Sequence, residues 1–347
     1  MYFTPGPSQV HSNYEKDMKK AIKLHIPSIS HRSKLFMEIM KGVEGGLRKL
    51  LSIPLSHHIF CISSSLESME RILSNVVKKK SFHFVSGSFG EAFAAASAAQ
   101  GLKCDVHHLL PGERIPTDTF FLPSDTELIC ITQNETANGS CVPLEDIYRL
   151  KEKYPNIPVA VDIVSSAPYP DLDFTKIDCT FFSVQKGFGL PSGLSILIVC
   201  DKLVRTSTKK GYHDFPSLLS KSLKNQTPET PNVLNIFLLG EVLKAMNEKG
   251  IRKIRKETEE KAQMIETLGN LSVTDPTTRS KTVLVINTFG KTKEMKEKLE
   301  KKGIIIGSGY GDKKKIQVRI ANFPQHSIDD VKRLLLYCRK YFAKRAH

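Results

Sequence analysis

Apolar and polar positions alternate in two ways along the chain, and the change from one pattern to the other predicts strands and helices in turn. Short apolar runs predict seven buried strands, at His58–Ile62, Ser81–Val85, Cys104–His108, Leu128–Thr132, Pro158–Ile163, Cys179–Val184 and Leu194–Cys200. Stretches with helical spacing lie before or between these runs, and they predict helices at Asn13–Leu24, Ser33–Leu51, Leu66–Val77, Gly90–Gln100 and Leu144–Tyr154. Strands that alternate with helices favour an α/β fold with a mainly parallel central sheet.

The pattern changes after about residue 245, where charged residues become frequent. The elements predicted there are helices at Lys249–Leu268, Thr292–Lys302 and Ile328–Ala343, and strands at Val283–Asn287, Ile304–Ile306 and Ile316–Ala321. These elements form a small α+β unit with a hydrophobic pattern of its own. We therefore predict a large domain over residues 13–245 and a smaller C-terminal domain over residues 246–347, which the N-terminal segment 1–12 joins.

The composition of the 347-residue chain is typical of a globular protein, with 40% hydrophobic residues. No apolar run approaches the ~18–20 residues of a membrane-spanning helix, and the N-terminal residues lack the pattern of a secretion signal. The seven cysteines are scattered without a C-x-x-C pair, which favours reduced thiols over disulfides or a metal site. We expect a cytoplasmic protein without a metal ion or a membrane contact.

The net charge of +15 is concentrated in the C-terminal part, where residues 241–347 hold 25 basic and 13 acidic side chains. A basic unit of this kind is one mark of a nucleic-acid surface. The lysines, however, stand in mixed stretches such as KTKEMKEKLEKK, in which glutamate and lysine four residues apart are typical of a solvated helix. No recognition motif accompanies the charge, so we expect no nucleic-acid partner.

The residues that could bind a ligand or react are expected just past the predicted strands, because parallel α/β sheets bind ligands at the carboxyl ends of their strands. Ser63, Ser64 and Ser65 follow the first strand at the start of a helix, where backbone N–H groups and hydroxyls suit a phosphate. An ordinary serine N-cap is the alternative. Asp162 ends a strand that should be buried, and a carboxylate there needs a cation or a strong donor unless it caps a turn.

Lys186 directly follows another apolar strand and begins a glycine-rich turn that leads into the next strand. A lysine held between two strands is poorly solvated, so its pKa falls and its amine can attack an aldehyde. Lys186 can then form a Schiff base while Asp162 keeps a pyridine nitrogen protonated. With the serine turn as a phosphate site, this is the arrangement that binds pyridoxal phosphate.

Two further positions fit the same site. Thr136, in ITQNETANGS after the strand that ends at Thr132, can reach the phenolic oxygen of that cofactor. Arg319 lies within a predicted strand, where a guanidinium suits bidentate capture of a substrate carboxylate, although a surface salt bridge is the simpler interpretation.

Taken in order, these segments resemble the class V aminotransferases of fold type I, and within them most closely the phosphoserine aminotransferases. The resemblance runs nearly end to end, through TPGPS near the start, SISHRSKLF at 28–36, QNETANG at 133–139, VDIVSS at 161–166, SVQKGFGLPSG at 183–193, QTPETPN at 226–232 and VRIANFP at 318–324. It implies a pyridoxal 5'-phosphate enzyme that works as a homodimer on small amino acids and keto acids.

The resemblance also implies a role for each matching residue. Lys186 would bind the cofactor covalently and carry the proton, while Asp162 would pair with its pyridine nitrogen. The cofactor would also be contacted by the side chains of Thr136, Phe89, Ser65 and Gln185 and by the backbone of Leu66. A second subunit would donate Gln226 and Thr227. Substrate would be bound by Arg319 at the α-carboxylate and by His31 and Arg32 at a phosphate.

The chain departs from many phosphoserine aminotransferases at two points. Leu66 stands where they carry an arginine, and GSGYGDKKK precedes Arg319 where they carry a His-Arg pair. Lys313, Lys314 or Lys315 would have to supply that charge, unless they belong to a solvated loop. The expected reaction is 3-phosphohydroxypyruvate plus L-glutamate to O-phospho-L-serine plus 2-oxoglutarate, in serine biosynthesis. An alanine- or serine–glyoxylate-type aminotransferase is the alternative, and a basic binding protein on the same scaffold is the non-enzyme alternative.

Overall fold

The computed structural model describes residues 1–342. Its strands are β1 (Tyr2–Phe3), β2 (His57–Ile62), β3 (Lys80–Val85), β4 (Lys103–His108), β5 (Leu128–Thr132), β6 (Asn134–Glu135), β7 (Ser140–Cys141), β8 (Val159–Asp162), β9 (Cys179–Ser183), β10 (Ser195–Cys200), β11 (Val283–Asn287), β12 (Ile305–Ser308) and β13 (Gln317–Ala321). Its helices are α1 (Tyr14–Lys23), α2 (Lys34–Leu51), α3 (Ser65–Val76), α4 (Ser88–Ala99), α5 (Leu144–Lys153), α6 (Asp201–Thr206), α7 (Phe215–Ser222), α8 (Val233–Lys249), α9 (Ile251–Glu266), α10 (Thr292–Glu300) and α11 (Ile328–Phe342).

Seven strands form the large sheet, in the order β2-β10-β9-β8-β5-β3-β4. Strands β9, β8, β5, β3 and β4 pair in parallel, whereas β10 runs antiparallel to both of its neighbours. This arrangement confirms the predicted α/β fold with a mainly parallel sheet. Because β5 and β8 pair with Thr132 opposite Asp162, the residues that follow both strands emerge at one edge of the sheet.

Helices cover both faces of this sheet, since its central strands are apolar on both sides. On β10, Ile196 packs in a core with Leu47 of α2 and Leu243 of α8. The next residue, Leu197, packs in a separate core with Phe93 of α4. The two neighbouring side chains point to opposite faces, as the period of a strand requires.

The C-terminal residues form a second sheet in the order β1-β12-β13-β11, which packs against α9, α10 and α11. Strand β1 pairs in parallel with β12, and its Phe3 is fully buried in the core of that sheet. The predicted boundary at residue 245 falls inside α8, and Gly250, with a φ of 84°, separates α8 from α9. The division into two domains stays a prediction.

Several predicted elements need correction. The helix predicted at Lys249–Leu268 is α9, and the strand predicted at Ile304–Ile306 is β12, which continues to Ser308. The predicted end of the last helix, Ala343, lies outside the described residues. The sequence patterns missed five elements outright besides the short strand at the N-terminus, namely α6, α7, α8, β6 and β7. Within residues 1–342, no helix has the length and apolar character needed to cross a membrane.

Candidate active site

A cavity of about 540 Å³ opens at the carboxyl ends of β5, β8 and β9, where a mainly parallel sheet is expected to bind its ligand. Eight of the residues predicted to bind cofactor or substrate line it together, namely Ser65, Leu66, Phe89, Thr136, Asp162, Gln185, Lys186 and Arg319. They come from both sheets and from segments more than 250 residues apart. The structure therefore brings these residues of the chain into one place.

Lys186 lies in the loop between β9 and β10 and is buried. Its Nζ donates a hydrogen bond of 3.3 Å to Thr136 Oγ1 and lies 5.1 Å from the centre of the Phe89 ring. Burial lowers the pKa of Lys186 to about 8, although Asp162 and Glu135 oppose that shift. A substantial fraction of this amine is therefore neutral near pH 8 and able to act as a nucleophile.

The N-terminal segment holds Lys186 in place. A Cβ at Gly6 would come within 2.8 Å of Lys186 Cε, and the φ of +146° at Gly6 is one that other residues rarely adopt. Ser8 N donates to Gln185 O at 3.1 Å, and Gln325 Nε2 donates to Lys186 O at 2.8 Å. The glycine of TPGPS thus lets the chain pack directly against the lysine side chain.

Asp162 ends β8 and is 3% exposed. Its Oδ1 accepts a hydrogen bond of 2.8 Å from Val164 N. Burial raises the pKa of Asp162 to about 7, against the effects of that hydrogen bond and of Lys186. A buried carboxylate with so little compensation is stabilised by a cation brought into the cavity, such as a protonated pyridine nitrogen.

The N-cap interpretation of the serine turn is confirmed for Ser64, whereas the phosphate site stays a prediction. Ser64 is the N-cap of α3, because its Oγ accepts a hydrogen bond from Glu67 N at 3.2 Å. Ser63, Ser64 and Ser65 all line the cavity, and Ser65 Oγ lies 2.5 Å from Ser183 Oγ. Gln185 Oε1 is buried and finds no hydrogen-bond partner within residues 1–342. Hydroxyls at a helix N-terminus suit a phosphate group, so this side of the cavity fits the cofactor phosphate.

Arg319, on β13, has no ion pair within the described chain, so the interpretation as a surface salt bridge is wrong. Its Nε donates to Ser308 O at 2.8 Å, and its Nη1 donates to Thr136 O at 3.4 Å. The guanidinium lies 5.3 Å from the centre of the Tyr310 ring. Burial lowers the pKa of Arg319, and the group is free to pair with an incoming carboxylate.

Sequence reasoning missed two residues of this region. Tyr310 lines the cavity, and its ring centre is 5.8 Å from that of Phe89. Glu135 is fully buried beside the cavity and accepts three backbone hydrogen bonds, from residues 89, 90 and 137. The motifs contained a signal for each: Tyr310 stands between two glycines before Arg319, and Glu135 directly precedes Thr136.

The remaining predicted residues lie together but away from Lys186. Arg32 Nη1 donates to Gln226 Oε1 at 2.7 Å and to Thr227 O at 2.9 Å, and its Nη2 donates to Pro228 O at 3.1 Å. Neither these residues nor the adjacent His31 line the cavity around Lys186. The three lysines at 313–315 are exposed in a 3₁₀ turn, and they do not line the cavity either.

Pyridoxal phosphate fits this set of side chains. An amine of lowered pKa, a buried carboxylate and a hydroxyl-lined helix start meet the needs of its aldehyde, pyridine nitrogen and phosphate. Phe89 offers a ring face beside the amine, and Arg319 offers a cation for a substrate. The arrangement can bind the cofactor and place an amino acid next to a base.

Comparison with known proteins agrees with this chemistry. Residues 4–321 match the family model of aminotransferase class V. A crystal structure of a phosphoserine aminotransferase from Cytophaga hutchinsonii is 41% identical, with a TM-score of 0.95 over 98% of both chains. A phosphoserine aminotransferase of Nocardioides sp. is 26% identical over 96% of this chain and 92% of its own length.

An alanine–glyoxylate aminotransferase structure from Nostoc sp. has the same fold, with a TM-score of 0.83, 20% identity and coverage of 98% of this chain and 94% of its own. The family match and the identity to phosphoserine aminotransferases show that the protein is an enzyme, and the alternative of a basic binding protein finds no support. The chain belongs to the class V aminotransferases, which depend on pyridoxal phosphate.

Proposed function

We propose that this aminotransferase interconverts 3-phosphohydroxypyruvate plus L-glutamate with O-phospho-L-serine plus 2-oxoglutarate, as a step of serine biosynthesis in the cytoplasm. The observation that carries the proposal is the 41% identity to the Cytophaga hutchinsonii phosphoserine aminotransferase over 98% of both chains. The cavity around Lys186 supports it, because it offers one amine for the cofactor and one unpaired guanidinium for a substrate carboxylate.

Bound pyridoxal phosphate supplies an electron sink that stabilises negative charge at the substrate α-carbon. Lys186 would hold the cofactor covalently until the substrate amine displaces it, and its freed amine, whose pKa is lowered to about 8, would then take the proton from the α-carbon. Asp162 would keep a proton at the pyridine nitrogen, because its buried carboxylate is stabilised by a cation. Thr136 Oγ1, which accepts a hydrogen bond from Lys186 Nζ, would donate to the phenolic oxygen.

Arg319 binds the α-carboxylate and thereby orients the α-carbon. Its Nε is fixed by Ser308 O and its Nη1 by Thr136 O, so the guanidinium is held before substrate arrives. Thr136 also contacts Lys186 through its hydroxyl, so one residue positions both the proton acceptor and the carboxylate site. Phe89, whose ring centre lies 5.1 Å from Lys186 Nζ, would cover one face of the cofactor ring.

A second copy of the chain completes the site in this proposal. Gln226 and Thr227 would bind the cofactor phosphate of the partner, and His31 and Arg32 would bind the phosphate of its substrate. Arg32 supports this assignment, since its hydrogen bonds organise residues 226–228 at a distance from its own cavity.

An alanine- or serine–glyoxylate activity remains the second candidate, and the lining of the cavity favours it. Leu66, where many phosphoserine enzymes carry arginine, is 60% exposed. Among the lining residues that the structure describes, Lys186 and Arg319 are the only cations, so one protomer offers a substrate phosphate no further charge.

The deciding experiment follows the visible band of the purified holoenzyme during titration with O-phospho-L-serine, L-serine and L-alanine. O-phospho-L-serine and L-serine differ only in the phosphate, so the ratio of the concentrations at which they bleach the band measures phosphate recognition alone. Bleaching at a concentration of O-phospho-L-serine at least about a hundredfold below that of the other two is expected, because charge-assisted pairs with a phosphate contribute about 3 kcal/mol. Equal bleaching by L-alanine would overturn the phosphoserine assignment in favour of the glyoxylate class.

A further inference from the structure

Glu135 connects two segments of the cavity wall. Its Oε2 accepts hydrogen bonds from Phe89 N at 2.9 Å and Gly90 N at 3.2 Å, and its Oε1 accepts one from Ala137 N at 2.9 Å. Phe89 and Gly90 belong to the first turn of α4, whose N–H groups have no partner inside the helix. The carboxylate therefore replaces the missing partners and ties the start of α4 to the segment after β5.

Gly87, the residue just before α4, leaves room for the Glu135 carboxylate. A Cβ at Gly87 would come within 2.6 Å of Glu135 Cγ and 2.9 Å of Glu135 Cδ. The φ of Gly87 is 172°, an extended conformation that any residue adopts, so the close approach alone explains the glycine. Nearby, Asn138 Nδ2 donates to Ser86 O at 2.5 Å and ties the same two segments a second time.

We propose that Glu135 is a positioning residue for the cofactor, which fixes the Phe89 ring in the cavity through the backbone of residues 89 and 90. The proposal rests on the proposed cofactor site between Phe89 and Lys186. The carboxylate accepts from the consecutive N–H groups of Phe89, which carries the ring, and of Gly90, so that the start of α4 cannot rotate without breaking these hydrogen bonds. Its neighbour Thr136 contacts Lys186 directly, and one short segment thereby places both the ring and the amine.

The charge of Glu135 belongs to the same cluster. The charged groups nearest to the cavity are Lys186 after β9, Arg319 on β13 and Asp162 on β8, so the cluster holds two cations and two carboxyl groups. Glu91, also in the first turn of α4, instead pairs with His108 at an exposed position. Loss of the Glu135 charge would leave the buried cations with less compensation.

The test compares four variants of the holoenzyme by two measurements, the rate of cofactor release and the visible circular dichroism of each bound cofactor. Glu135→Gln keeps the shape but removes the charge and places an amide N–H₂ against a backbone N–H. Gly87→Ala leaves Glu135 itself unchanged but displaces its side chain with the added methyl group. We expect both to release the cofactor about tenfold faster and to change the visible dichroism, since both weaken the charge-assisted hydrogen bonds that hold the start of α4.

Glu127→Gln is the matched control, because Glu127 also accepts three backbone hydrogen bonds, from residues 78–80, but stands before β5 rather than after it. It should lower the melting temperature and leave both cofactor signals unchanged. Phe89→Ala separates the two proposals: if it changes neither signal, the proposed cofactor site is wrong. If Phe89→Ala changes them and Glu135→Gln and Gly87→Ala do not, the positioning role alone is overturned. If Glu135→Gln does not fold, Gly87→Ala decides.

Discussion

The Tyr310 ring covers the guanidinium of Arg319, with 5.3 Å between the guanidinium carbon and the ring centre. Tyr310 lies just after β12, whereas Arg319 is on the adjacent strand β13, and both line the cavity. An aromatic face attracts a cation and shields it from water. The pair therefore keeps an unpaired guanidinium oriented before a carboxylate arrives.

Replacing Tyr310 with alanine should raise the KM of every amino-acid substrate about fivefold, because the ring contributes about 1 kcal/mol to the orientation of Arg319. The change should be smaller in kcat than in KM, since the ring does not reach Lys186 in the described contacts. Steady-state kinetics with two different amino donors measures both. Tyr310→Phe is the control and should behave like the parent enzyme; an equal loss in Tyr310→Phe would assign the effect to the hydroxyl.

Arg319→Ala should raise the KM of all substrates by roughly two orders of magnitude, because it removes a half-buried charge pair with the carboxylate, worth about 3 kcal/mol. Arg319→Lys should recover only part of that loss, since an ammonium lacks the planar pair of donors. Kinetics with several amino acids decides the point. A loss confined to one amino acid would contradict a role at the α-carboxylate, which all of them share.

Lys186→Ala should abolish turnover, with a loss of at least about 10⁴ in kcat, since both the covalent link to the cofactor and the proton acceptor disappear. The visible band of the bound cofactor should also change, because free and lysine-bound pyridoxal phosphate absorb differently. Absorbance and a coupled assay measure the two effects. Transamination retained by Lys186→Ala would show that another group moves the proton.

The lowered pKa of Lys186 predicts how the apoprotein takes up pyridoxal phosphate. Only the neutral amine attacks the aldehyde, so the uptake rate should rise about tenfold per pH unit below pH 8 and level off above it. A midpoint near 10.5, the value of a solvated lysine, would show that the amine is not desolvated. Growth of the visible band after mixing at each pH gives the rate, with Lys186→Ala as the blank.

The lowered pKa of Lys186 also predicts how the stability of the apoprotein depends on pH. The folded-state pKa is below the unfolded value, so the unfolded chain binds more protons between pH 8 and 10.5. The contribution of Lys186 to stability should therefore rise with pH across that window, by at most about 3 kcal/mol. Urea unfolding of the parent protein and of Lys186→Met at several pH values isolates this contribution, because the lowered pKa of Lys261 and the raised pKa of the buried cysteines act in both. The difference between the two free energies of unfolding should change in favour of the parent protein up to about pH 10.5.

The sequence predicts the part of this site that follows from sheet geometry. Asp162 ends one buried apolar strand and Lys186 lies just past another, and parallel strands bring such residues to one edge. Contacts that depend on tertiary packing leave no local pattern: Glu135 reaches the start of α4 across 46 positions, and Arg319 meets Thr136 across 183. Helix α8 was missed for a related reason, since it is buried on several sides and shows no single apolar stripe.

The distance of Arg32 from its own cavity predicts that mixed dimers regain activity. Arg32→Ala should release residues 226–228, which the guanidinium holds through three hydrogen bonds, and so impair the site of the partner. Lys186→Ala impairs the site of its own chain. A mixed dimer of the two variants then has one cavity with both defects and one with neither, because the intact lysine and the intact arginine meet at the same cavity.

Co-expression with two different affinity tags isolates this mixed dimer, and its kcat per dimer should be about half that of the parent enzyme. Each variant alone, purified in the same way, is the control and should show little activity. If each cavity were completed within one protomer, every site of the mixed dimer would carry a defect. Activity no higher than the mean of the two pure variants would therefore place Arg32, and the residues it holds, in the cavity of their own chain.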